Sequence, residues 1–125
     1  MIKILFIIGS GSFIGGVARY LISKLIQNTF ISSFPAGTLV VNIIGCFFFL
    51  FVFGLSERGN VMSSELRLFL TVGFCGGFTT FSTFAYENVS LLRDGNYFIF
   101  ALYTGLSVFL GLLATYLGNL TIKSF

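Results

Sequence analysis

The run Gly73-Phe74-Cys75-Gly76-Gly77-Phe78-Thr79-Thr80-Phe81-Ser82-Thr83-Phe84 sets hydroxyls and phenyl rings side by side in an uncharged stretch bounded by Arg67 and Glu87. These residue types hold no nucleophile and base, but they suit an anion. Hydroxyls donate hydrogen bonds to it, and the electropositive edges of phenyl rings attract it while excluding water. Phe81 and Phe84 form one helical stripe with Glu87 or Asn88, and Thr80 and Thr83 run beside it. Two phenylalanines at that spacing are ordinarily core; their setting among Thr79, Thr80, Ser82 and Thr83 points instead to a polar track. Glycine is a weak helix former and Ser and Thr hydroxyls compete for backbone hydrogen bonds. The stretch therefore predicts an apolar helix broken near its middle, which a bilayer tolerates only where the backbone is buried in protein or lines a polar path.

Other polar residues sit in equally apolar company. Thr38 and Asn42 are four apart on one face, with Gly45 three further on. Asn42 has two readings: an interhelical hydrogen bond worth about 1 kcal/mol, or an amide donor aimed at a passing anion. On its own the residue favours the first. Arg19 also has two: it snorkels to headgroups near Lys24 and Gln27, or it lines an aqueous vestibule that gathers anions. The first segment holds no acidic partner for it, which favours anions over cations. Cys46 and Cys75 read as small packing residues. With no histidine in the chain, a zinc site and a Ser-His or Cys-His catalytic pair are excluded.

The elements that carry these groups belong to a membrane. Hydrophobic residues make up 56% and charged residues 9% of the 125 positions, against roughly 25% charged in soluble domains, and the mean hydropathy is +1.01. A net charge of +3 without a basic run gives no sign of a nucleic-acid partner. Four apolar segments, from about Ile2 to Ile26, Ala36 to Leu55, Leu66 to Leu92 and Tyr97 to Leu120, are each long enough to span a bilayer at ~20 residues. The first begins after Lys3 somewhat like a signal peptide but runs on to Arg19 without a convincing cleavage site, so it reads as a helix. The expectation is one all-α domain over residues 1–125, with both termini on one side. Lys3, Arg58, Arg67 and Lys123 fall on the side of the termini, Lys24 and Arg93 on the other. So narrow a margin suits insertion in both orientations, and an antiparallel dimer, as well as it suits one weakly biased topology. Gly11 with Gly15 and Gly73 with Gly77 predict close helix contacts. Four helices hold too little protein to enclose a pore, so self-association is expected.

Together, Gly15-Gly16-Val17-Ala18-Arg19-Tyr20, Gly37-Thr38-Leu39-Val40-Val41-Asn42-Ile43-Ile44-Gly45 and the Gly73–Phe84 run resemble the Fluc (CrcB-type) fluoride channels. The likeness covers all four helices in length and order. It implies an antiparallel, dual-topology homodimer with two fluoride pores in the cell (plasma or inner) membrane. It implies further that Phe81 and Phe84 present ring edges to the ion, that Asn42 is a pore amide, and that Ser82, Thr83 and Tyr103 extend the polar track. Arg19 then lies in the vestibule. Backbone carbonyls around Gly76 and Thr79, from both subunits, would hold a structural sodium ion at the dimer interface, as suits a hard cation. Glu87 receives no role from either argument. A passive pore suffices for fluoride resistance: hydrofluoric acid enters as a neutral molecule, dissociates, and its anion leaves down the membrane potential. A proton-coupled multidrug transporter of this size should carry an acidic residue in its first helix, where this chain has Arg19. A non-transporting assembly subunit would explain Thr79 to Thr83 as hydrogen-bonding glue but does not require both phenylalanines.

Overall fold

The structure, a computed structural model, describes residues 1–29, 33–58 and 62–123. Among these there is no strand. Helix α1 spans Ile2–Thr29 and α2 spans Ala36–Ser56. A third path is assembled from α3 (Ser64–Leu68), a π-helical segment (Phe69–Cys75), α4 (Gly76–Phe78) and α5 (Phe81–Arg93), and α6 spans Tyr97–Lys123. Four paths, Ile2–Thr29, Ala36–Ser56, Ser64–Arg93 and Tyr97–Ile122, are long and apolar enough to cross a membrane.

Local chemistry fixes the ends. Pro35 precedes α2, where its missing N–H leaves no helical bond unmade. Ser63 caps α3, its hydroxyl accepting from the Leu66 N–H at 3.1 Å. The return from α5 to α6 turns on Gly95, whose φ of +77° is a left-handed value that favours glycine; Asn96 N–H then donates to Leu91 C=O at 2.9 Å.

Cross-helix contacts set the directions. Lys3 pairs with Glu65 at 2.8 Å, the Ser12 hydroxyl donates to Gly73 C=O, and Arg19 donates to Gly77 C=O. The partners advance together, so α1 and the third crossing run parallel. Likewise Gly118 lies against the Phe47 carbonyl and Gly54 against Ile122, so α2 and α6 run parallel. With short connections between them, the four crossings alternate up and down, leaving both termini at one end.

The α1 contact is a backbone-to-backbone approach. A Cβ on Gly77 would come within 3.0 Å of Ser12 Cα, and one on Gly11 within 2.9 Å of Phe74 N. Without a hydrophobic driving force between helices in lipid, this proximity supplies van der Waals contact. Gly77→Ala is therefore expected to destabilise the fold by roughly 1–3 kcal/mol through overpacking. Gly16→Ala, with open space around its Cβ, is expected to be neutral or mildly stabilising. Detergent-resistant unfolding curves of the two variants check the contrast.

Candidate functional site

The third crossing is one path with a two-residue joint rather than a helix severed at its glycines. Gly76, Gly77 and Phe78 are helical, and extended backbone is confined to Thr79 (φ −90°, ψ 155°) and Thr80 (φ −151°, ψ 123°). Glycine weakens a helix without ending it; what ends α4 is that its next hydrogen bonds are diverted. The Thr80 N–H, which would close on Gly76 C=O, donates to Asn42 Oδ1 at 2.9 Å. The Thr83 N–H, which would close on Thr79 C=O, donates to the Thr80 hydroxyl at 3.1 Å, making Thr80 the N-cap of α5. Asn42 returns a bond through Nδ2 to Thr80 C=O at 3.1 Å. One side-chain amide thus satisfies both backbone groups of Thr80, the interhelical bonding expected of Asn42. On the other side of the joint, Thr79 is held to Cys75 C=O by its N–H and its hydroxyl, at 3.0 and 2.9 Å.

Arg19 serves the end of the half-helix. Its Nε donates to Gly77 C=O at 3.3 Å, putting a cation where α4 presents its negative pole.

Beside the joint lies a cavity of about 330 Å³ lined by Asn42, Thr79, Thr80, Phe81, Phe84 and Ser107. The Phe81 and Phe84 rings stand 5.7 Å apart, tilted 42°. Phe81 is 77% exposed on the single chain. The Thr83 and Ser82 hydroxyls each lie 3.2 Å from the Thr80 hydroxyl. The Ser107 hydroxyl is buried with no hydrogen-bond partner among the described residues. Sequence reading passed over Ser107, although it stands one helical turn after Tyr103 on the same face of α6.

Tyr103 packs behind Phe84. It is fully buried, its ring 5.1 Å from that of Phe84. Its hydroxyl donates to Glu87 Oε1 at 2.7 Å, and the Thr38 hydroxyl donates to Oε2 at 2.9 Å. Glu87, left without a role by the sequence, therefore ties α2, α5 and α6 together. It also borders a second polar space of about 300 Å³ with Gln27, Tyr86, Ser90, Asp94 and Asn96. Tyr103→Phe removes a hydrogen bond to a carboxyl group and is expected to cost about 1.5–3 kcal/mol, measured as a lower unfolding midpoint that Thr38→Val shares in part.

Of the residues singled out from sequence, Asn42, Phe81 and Phe84 share one cavity; Ser82 and Thr83 hydrogen-bond to the Thr80 hydroxyl, and Tyr103 packs on Phe84. Gly76 lines a separate space, Thr79 lines both, and Arg19 lines neither.

Four apolar crossings define a multi-pass α-helical membrane protein, with a cavity in which hydroxyl, amide and ring groups meet. Residues 6–119 match the family described as CrcB-like protein, Camphor Resistance (CrcB), and the chain belongs to that family. It is 42% identical over 125 residues, all of both chains, to the "Fluoride-specific ion channel FluC" of Azobacteroides pseudotrichonymphae genomovar. CFP2. It is 52% identical over 116 residues, 90% of this chain and 88% of the other, to the protein of that name from Bacteroides fragilis strain YCH46. With the Flavobacterium psychrophilum protein of the same name it shares 44% identity over 121 residues, 97% of this chain and 98% of the other.

Proposed function

We propose that this chain is a fluoride-specific passive channel of the cell membrane, not an enzyme, and that it exports cytoplasmic fluoride and so confers resistance to it. The observation that carries the reading is the cavity beside Thr79 and Thr80, where donors and ring edges converge on a space with no cationic or anionic side chain in its lining among the described residues. Fluoride is small and strongly hydrated, so a path for it must replace water with close donors. The Asn42 amide has a second hydrogen beyond its Thr80 bond, Ser107 has an unused hydroxyl, and the edges of Phe81 and Phe84 complete the set. The N-terminus of α5 adds a favourable dipole at the same place. Ser82, Thr83 and Tyr103 extend the track, and Arg19 draws anions toward it.

The working unit in this reading is an antiparallel homodimer with two pores. The exposure of Phe81 supports it, because a ring edge facing an ion needs a second wall. The third crossing acts as a broken membrane helix, and its diverted hydrogen bonds leave the Gly76 and Thr79 carbonyls without their helical donors. Two such oxygens from each subunit fit a hard cation such as structural sodium. The bound ion would supply a fixed positive charge where both chains meet.

The test is efflux of fluoride, with chloride as control, from liposomes holding the purified protein. Fluoride-only release supports the reading; intact, well-folded protein that releases neither ion sinks it.

A further inference from the structure

Two thiols that the fluoride path does not use open on one space. Cys46, on α2, and Cys75, at the end of the π-helical segment, are both free. Both line a cavity of about 380 Å³ with Phe49, Thr71, Gly76 and Thr79. Cys75 is buried and Cys46 partly exposed. A lone buried cysteine is a small hydrophobe. Two of them, from different helices and facing one roomy cavity, offer paired soft ligands, which thiophilic metal ions select. Cys46 and Thr79 also line the Asn42–Phe81–Phe84 cavity, and a Cβ on Gly111 of α6 would lie 4.0 Å from Cys46 Sγ. The Cys46 sulfur therefore stands in the wall between the two spaces.

We propose that Cys46 and Cys75 together bind one soft divalent metal ion of the mercuric type, and that its binding obstructs the adjoining ion cavity. The charge balance suits the apolar lining. Each thiol gives up its proton, two metal–sulfur bonds replace two S–H bonds, and the bis-thiolate is neutral. With mercuric chloride, two chlorides and two protons leave to water. A neutral product avoids placing an uncompensated charge in a low-dielectric interior, whereas a monovalent ion would leave one negative charge behind. Mercuric chloride is itself uncharged and reaches a site within a bilayer. The metal site holds whatever the chain transports; the obstruction rests on the fluoride-channel reading.

The full-length protein is treated with mercuric chloride, washed with glutathione as a competing thiol, and weighed intact. One mercury per chain is expected, with both thiols then unreactive toward maleimide. Cys46→Ser and Cys75→Ser are each expected to hold mercury on the order of 100-fold less tightly, because the second ligand no longer acts at high effective concentration. Two mercury ions per chain, one thiol left reactive, or unchanged retention in either variant would mean independent thiols and overturn the site. In liposomes, mercury is expected to slow wild-type fluoride efflux at least ~10-fold, and each variant far less relative to its own untreated rate. Undiminished efflux from protein carrying the bridged ion would overturn the obstruction. If untreated wild-type protein releases no fluoride, the channel reading fails and the obstruction with it, while the mass measurement still decides the site.

Discussion

Phe81→Ile is expected to slow fluoride efflux from liposomes at least ~10-fold, a barrier increase of about 1.4 kcal/mol, while leaving the fold of the single chain intact. The two halves of that expectation have separate causes. Phe81 is 77% exposed, so its loss removes little packing within the chain. Isoleucine keeps much of the apolar bulk but has no electropositive ring edge, so the change tests the edge rather than the volume. Phe84→Ile should slow efflux comparably but also lower the unfolding midpoint, because that ring packs against Tyr103 as well as Phe81. Efflux of Phe81→Ile at the wild-type rate would remove the rings from the ion path. An unfolding midpoint lowered as far as in Phe84→Ile would mean that Phe81 is structural after all.

The largest loss of stability is expected from Asn42→Ala. That change strips the partners from both the N–H and the C=O of Thr80, at roughly 1–3 kcal/mol for each group left unmade. No helical neighbour replaces them, since Thr80 is extended. The joint should then loosen, with fluoride efflux lost and the unfolding midpoint in detergent falling well below that of Phe81→Ile. A midpoint equal to wild type would mean that Thr80 finds other partners and that Asn42 does not hold the joint.

How far the fold could be read from the chain depended on the range of the interaction. The crossings were legible because apolar length is local information, and the expected Ala36 to Leu55 and Tyr97 to Leu120 segments fall within a few residues of the helices found. The meeting of Gly11 and Gly15 with Gly73 and Gly77 was half legible: the spacing announces a close contact but not which helix supplies the other side. The sequence placed the interruption over Gly76 to Thr79, and the extended residues are Thr79 and Thr80. Its real position depends on Asn42, which reaches Thr80 across 38 residues. The Thr38–Glu87–Tyr103 cluster draws on three helices, so no window of sequence contains it. Nor did composition suggest the π-helical Phe69–Cys75 segment. Arg19 was conspicuous as a charge, but its carbonyl partner lies 58 residues away.

The Asn42 clasp on Thr80 bears on how the chain enters the membrane. A segment with unmatched peptide groups is a poor candidate for partition into hydrocarbon on its own, since each such group costs several kcal/mol there. Synthesis runs from the N-terminus, so the amide that matches those groups leaves the ribosome first. Residues 64–93 can then slide in alongside a receptor already in place. A rearranged gene that encoded this crossing ahead of residues 36–56 would present the translocon with the same amino acids in an order it should reject.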